Sequence, residues 1–318
     1  GWLEQRPEVW DSYTAGLRQD LAVLEGDAGL RQAVHAAETA QTGLDYFDSW
    51  AAELIETGYL HNHARMWFAS IWIFTLKLPW RLGADFFLRN LLDGDPASNT
   101  LSWRWVAGLH TRGKPYVAQA SNIARFTEDR FMPRVQELTQ SASGLEALEP
   151  GGLPECNPPR VPNAPQLHLP TALLLTEEDC RIEDFPFQNL ICTDAATLAA
   201  SPLRSPREVA QLVVRFEAGA LADVAQRSGL AVSAMQIGAP SDLARWALQS
   251  GAQQIVTPYV PVGPLRDWLA RVKPELEAVG ISLTEWRRDW DAMIWPHATA
   301  GFFKVKKQIP KFLRTICA

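Results

Sequence analysis

Residues 148–168 read LEPGGLPECNPPRVPNAPQLH, a stretch dominated by proline and glycine in which no hydrophobic period survives. Such a segment adds neither a continuous helix nor a central strand, so it divides the chain into parts that fold by different rules. Before it, apolar residues recur at helical spacing. The segment LDYFDSWAAELIETGYL places Phe47, Trp50, Ala51, Leu54 and Ile55 on one face. WDSYTAGLRQDLAVLEG and GLRQAVHAAETAQTG have the same period and end in glycine. HNHARMWFASIWIFTLKLPW is apolar nearly all round, which predicts a buried helix stopped near Pro79. WRLGADFFLRNLLDG and SWRWVAGLHTRG predict two more helices, separated by an Asp-, Gly- and Asn-rich turn. After the linker the period changes. TALLLT, NLICTD, VSAMQIG, QIVTPY and ISLTEW read as short buried strands, and amphipathic helical segments lie between the later ones. Strand–helix alternation of this kind predicts a parallel, doubly wound sheet. The expected organisation is a helical domain over 1–145, a linker over 146–168 and an α/β domain over 169–318.

The chain has 318 residues and 47% hydrophobic content, enough for two cores. A net charge of −6 argues against a uniformly basic nucleic-acid coat but leaves room for a local basic groove. Cys156, Cys180, Cys192 and Cys317 have no metal-ligand or iron–sulfur spacing and read as reduced thiols of a cytoplasmic protein; no metal is expected. MWFASIWIFTL is too short to span a bilayer, so no membrane partner is expected. The α/β half has no G-x-G-x-x-G fingerprint, which argues against a nicotinamide cofactor. Near the C-terminus, TAGFFKVKKQIPKFL is basic and amphipathic; its lysines suit phosphate or an acidic surface, although such a run is more often a solvated face. Thirteen tryptophans are unusually many, which makes an aromatic-ligand or electron-transfer role worth testing.

The ordered motifs TGLDYFDSW, HNHARM, LPW, DGDPASN, WRW and KPYVAQASNIARF, between about Thr42 and Phe126, resemble the flavin-binding helical domain of the DNA photolyase/cryptochrome family. The resemblance implies an all-helical photolyase-type FAD-binding domain followed by a doubly wound, Rossmann-like α/β domain. It implies FAD as cofactor, with Asp95 at the flavin N3–H and O4 edge, Asp93 paired with Arg65 beside the ring, Asn99 at N5, and Asn62 in the same pocket. The residue types suit that chemistry. A carboxylate accepts from N3–H, a buried carboxylate needs an arginine, and an amide at N5 either donates or accepts. The plain alternative is an Asx-rich turn with a helix-capping aspartate.

The resemblance further implies an indole electron relay, with Trp103 proximal, Trp80 in the middle, and Trp10 or Tyr13 at the exit. Trp50, Trp67 and Trp72 read as packing. Asn62 and Met66 stand where relatives that repair (6-4) photoproducts carry two histidines, so the implied reaction is light-driven repair of cyclobutane pyrimidine dimers in UV-damaged DNA. Met66 and Trp105 would line the pocket for the flipped dimer. Arg104, Arg112, Lys114 and Arg125 would be available for phosphate. His63 replaces an arginine usual in many relatives, and His61 reads as structural. The chain opens inside what reads as a helix of this family, so the expected domain lacks its start. Usual members also carry an α/β antenna domain before the helical one, whereas here the α/β region follows it. It carries no motif that identifies an antenna chromophore. A cryptochrome-like photoreceptor signalling through the C-terminal domain is the rival reading.

Overall fold

A computed structural model describes residues 1–316, so Cys317 lies outside the described residues. The chain folds into two compact units, one formed by residues 8–154 with 207–213, the other by 1–7, 155–206 and 214–318.

In the helical unit, α1 (Glu8–Gly26), α2 (Ala28–Glu38) and α3 (Asp45–Thr57) precede α4 (Asn62–Ser70), α5 (Trp80–Asn90), α6 (Pro96–Val106) and the short α7 (Ala120–Phe126). The buried helix expected to run on to Pro79 changes character part-way. α4 gives way at Ile71 to a π-helical segment, Ile71–Thr75. Trp72 occupies that segment, fully buried, with its indole N–H donating to Pro79 O at 2.9 Å. Five aromatic rings make the centre of this core: Phe47 stacks on Phe68 at 4.2 Å, and Phe68 reaches Trp72, Phe86 and Phe87. Gly83, inside α5, is where the two large indoles close in. A Cβ there would lie 2.3 Å from Trp103 Cη2 and 2.9 Å from Trp72 Cδ2.

Residues 207–213 join this unit from much later in the sequence. Arg207 binds Glu38 with both terminal nitrogens, at 2.5 and 2.7 Å, and Ala210 N–H donates to Arg89 O at 3.0 Å. Arg89 also binds Glu38 and the fully buried Asp85. Two guanidiniums therefore serve two buried carboxylates, which keeps neither acid uncompensated.

The α/β unit is a five-stranded, wholly parallel sheet in the order β3–β2–β1–β4–β5. Its strands are β1 (Pro170–Thr176), β2 (Ile191–Ala199), β3 (Val232–Gln236), β4 (Gln254–Pro258) and β5 (Ser282–Trp286). Its helices are α8 (Gln211–Ser228), α9 (Pro240–Gln249), α10 (Pro264–Ala278), and the C-terminal α11 (Asp289–Ile294), α12 (Phe302–Lys306) and α13 (Ile309–Ile316). The alternating faces of β1 feed two cores. Ala172 and Leu174 pack with α9 and α10 residues such as Leu243, Trp268 and Val272, and Leu173 and Leu175 pack with Leu221 and Val224 of α8. The doubly wound arrangement follows from that two-sided burial. The β1–β2 connection is irregular, and Ile182, Phe185 and Phe187 from it fill the α8 face in place of a crossover helix.

In this same unit the N-terminal segment is locked by a buried carboxylate. Glu4 accepts from Tyr259 Oη, Val262 N and Arg266 Nη1. Burial and the adjacent Glu4 push the Tyr259 phenol up to about 12. Cys156, Cys180 and Cys192 are free thiols, and burial pushes Cys180 up to about 11, away from the reactive thiolate. No helix among the described residues is long and apolar enough to cross a membrane.

Candidate cofactor site

The acid–glycine–acid turn owes its place to Gly58. This residue ends α3 in the left-handed conformation at φ 67° and accepts from Leu92 N–H at 2.9 Å. A Cβ there would lie 2.6 Å from Leu92 Cγ, so glycine serves both the turn and the close approach. The turn then presents Asp93 to α4. Arg65, one turn into α4, donates through Nε to Leu60 O at 2.8 Å and through Nη2 to both Asp93 oxygens at 3.0 and 2.9 Å. The arginine is half-buried and Asp93 is 59% exposed, so this pair stands at the rim and adds at most about 1 kcal/mol to the fold.

Asp95 opens α6. Its Oδ1 accepts from Ser98 N–H at 2.5 Å, and Pro96 fills the first helical position. The turn expected to last until Ser102 is therefore shorter, and Asn99 belongs to the helix. The capping role of the plain alternative is present at Asp95, with its second oxygen left over. Asn99 is buried and donates through Nδ2 to Ala84 O of α5 at 2.8 Å. α6 packs on both α4 and α5. The face of α6 past Asn99 carries polar atoms with nothing to bind: Thr100 Oγ1 and Trp103 Nε1 are buried and lack a hydrogen-bond partner among the described residues. Unpaired polar atoms in a packed core are costly, which makes them a mark of a missing ligand. With the spare oxygen of Asp95, the carbonyl of Asn99 and the Arg65 guanidinium, α4 and α6 offer donors and acceptors together. A flavin edge, which alternates N–H, C=O and ring nitrogen, fits such a set.

Asn62 and Met66 lie one turn apart at the start of α4, with Asn62 Nδ2 3.9 Å from Met66 Sδ. His61 caps that helix, its Nδ1 accepting from His63 N–H at 3.3 Å. His63, which replaces an arginine usual in many relatives, stacks on Trp67 at 5.6 Å and touches Phe126 at 4.9 Å, so its ring packs within the protein's own aromatic cluster. Trp105 is 38% exposed and stacks on Tyr116 at 5.3 Å.

The tryptophans sort differently from the sequence expectation. Trp103 has Phe87 at 5.1 Å and Trp72 at 6.3 Å, perpendicular, as its ring neighbours. Trp80 meets Tyr13 at 5.8 Å, and Tyr13 meets Trp10 at 5.3 Å. Trp103 and Trp80 make no ring contact with each other among the described residues, and Trp72, read from sequence as packing, is the indole against Trp103. Arg104 needs a larger correction. It is buried and bound to both oxygens of Glu149, so it is not available to phosphate. Arg112 donates to Glu149 O, while Lys114 and Arg125 are exposed.

The sequence profile described as the FAD binding domain of DNA photolyase matches residues 3–133. Over those residues the helical unit is similar to the FAD-binding domain of DNA photolyase. The flavin-compatible set on α4 and α6 lies inside this FAD-binding match, as do Trp80 and Trp103. Among curated proteins, the deoxyribodipyrimidine photo-lyase of Streptomyces griseus is 44% identical over 114 residues, which is 36% of this chain and 24% of that protein. The photo-lyase of Synechococcus is 41% identical over 86 residues, 27% of this chain and 18% of the relative. That of Escherichia coli K12 is 36% identical over 83 residues, 26% and 18% respectively. The chain thus spans no more than about a quarter of the length of these photolyase relatives.

Proposed function

We propose that this chain serves light-dependent repair of cyclobutane pyrimidine dimers in DNA. The observation that carries the reading is the match of residues 3–133 to a photolyase FAD-binding domain, with unpartnered polar groups along α6 inside it. The curated relatives are lyases by name, which favours repair over the photoreceptor alternative.

Arg65, Asp93, Asp95 and Asn99 hold the cofactor in this reading, with Asn62 beside them. When bound and reduced, FAD supplies a light-excited electron donor for a reaction with no net redox change. The residues therefore position rather than exchange protons. The Asn99 amide is fixed by its bond to Ala84 O and offers either polarity to the ring edge. Arg65 keeps the Asp93 carboxylate turned toward α4, close to a neutral pair. Asn62, Met66 and Trp105 form the side that receives the extruded dimer: one amide for a base edge, a soft thioether, and an exposed indole for stacking. Lys114 and Arg125, exposed cations in the same unit, serve the phosphates. Trp103 is the inner member of the relay that keeps the cofactor reduced, with Trp72 as the indole against it, and Trp80 is the middle member, in ring contact with Tyr13, which in turn meets Trp10.

The test is to load the chain with FAD, illuminate it with thymine-dimer DNA, and count dimers against a dark control. Blue-light-dependent loss of dimers is expected. Trp103→Phe abolishes photoreduction yet repairs normally when reduced chemically, and Asn99→Ala destabilises the reduced cofactor. A protein that takes up and photoreduces FAD but leaves every dimer intact refutes the repair reading.

A further inference from the structure

The C-terminal end of the α/β unit carries a surface that the flavin reading does not use. No Asp or Glu follows Asp291 in the sequence, although the chain as a whole has a net charge of −6. Lys304, Lys306, Lys307, Lys311 and Arg314 fall in this stretch, all exposed, and none forms an ion pair among the described residues. Asp289 and Asp291 of the adjacent α11 likewise pair with none of them. Set among these cations are two large exposed rings, Phe302 at 64% and Phe303 at 73% exposure, with Lys306 Nζ 6.0 Å from the Phe303 ring centre. Leaving two neighbouring phenylalanines in water beside unpaired lysines asks for a partner that has both flat apolar faces and regular negative charge.

We propose that α12 and α13 form a binding surface for single-stranded nucleic acid. Unpaired bases stack on Phe302 and Phe303, and the lysines and Arg314 meet the phosphates that run alongside. A duplex hides its base faces and satisfies only the charge. An anionic bilayer would also satisfy the charge, but it needs a continuous apolar helix face. Among its described side chains α13 does not present one: Phe312, the largest apolar residue on it, is turned into the protein, 1% exposed, against Trp290 and His297. Only Leu313 is left exposed among the large apolar side chains described on that helix. The balance of one exposed pair of rings and many cations therefore matches a flexible polyanion with stackable bases better than lipid.

The experiment uses the full chain in the dark, with a fluorescein-labelled oligothymidylate free of dimers, followed by anisotropy over a salt series. The same strand in a duplex and vesicles containing phosphatidylserine are the comparison probes. Phe302→Ala with Phe303→Ala is expected to weaken the single strand by about tenfold or more, since each stacked base contributes on that scale, and to leave the duplex unchanged. Lys304→Gln, Lys306→Gln and Lys307→Gln together are expected to flatten the logarithmic salt slope for the single strand by about 2. All five positions are exposed, so both variants should melt like the parent. Single-strand binding that neither variant changes overturns the proposal, as does vesicle binding lost in the phenylalanine variant while oligothymidylate binding persists. FAD uptake is read in parallel. It should be the same in all variants, so a failure here is separable from a failure of the repair reading.

Discussion

Gly83→Ala probes the packing on which the helical unit is built. The added Cβ would lie 2.3 and 2.7 Å from Trp103 Cη2 and Cζ3 and 2.9 Å from Trp72 Cδ2, all well inside van der Waals contact. Neither indole has room to retreat: Trp103 is 2% exposed and Trp72 is 0% exposed, with its N–H tied to Pro79 O. Overpacking costs about 1–3 kcal/mol, and two rigid rings put this case near about 3. Alanine returns about 1 kcal/mol of helix propensity inside α5. The net expectation is a loss of about 2 kcal/mol. In a Trp103→Phe background the two closest contact atoms are gone while the 2.9 Å approach to Trp72 remains, so the same substitution should become about neutral. The coupling between the two positions is then about 2 kcal/mol, large for a double-mutant cycle. Urea unfolding of the four proteins, followed by circular dichroism, measures it. Equal effects of Gly83→Ala in both backgrounds would refute the claim that Gly83 exists to admit the Trp103 indole.

Two further outcomes are expected. The Tyr13 hydroxyl is buried without a hydrogen-bond partner among the described residues, and burial, reinforced by Asp85, holds its pKa well above the ordinary value; Tyr13→Phe should therefore keep or raise stability by up to about 1 kcal/mol in urea unfolding, while slowing photoreduction of the FAD-loaded protein because phenylalanine does not carry a hole. Burial, opposed by Arg204 and reinforced by Glu217, raises the Glu177 pKa. The folded state then holds the proton more tightly than the unfolded state, so stability from this group falls as pH rises from about 4.3 through the raised value and levels off above it. Glu177→Gln should remove that decline from the urea midpoint measured across the acid range.

Much of the architecture was legible because two hydrophobic periods meet at a proline-rich stretch. The five strands were readable as apolar runs, since a sheet covered on both faces needs no alternation. Strand order was not: local pattern says nothing about which strands pair across long stretches of intervening chain. β2 runs on through Ala195–Ala199 because parallel partners on both sides supply ladder bonds that its small residues would not otherwise secure. α8 starts only at Gln211, as Arg207 and Ala210 before it are held by Glu38 and Arg89. At the site, the Arg65–Asp93 pair and the shared place of Asn62 and Met66 were legible only through the resemblance to the photolyase/cryptochrome family. What spacing could not tell was orientation. Arg104 and Trp105 are consecutive on α6, yet one is buried on Glu149 and the other faces solvent. The same limit separated Trp103 from Trp80 and joined it to Trp72.

The straps at 1–7 and 207–213 determine how this chain can be taken apart. A single scission in the proline-rich connection strips each body of a piece it uses, because each draws one short length from the other side of the cut. The first half would lose the guanidinium that shares Glu38 with Arg89, and the second would lose the carboxylate that gathers Tyr259, Val262 and Arg266. Fragments made by cutting there should be less soluble and more protease-sensitive than the intact chain. Autonomous halves would instead require re-stitching those lengths onto their own bodies, a permutation rather than a truncation.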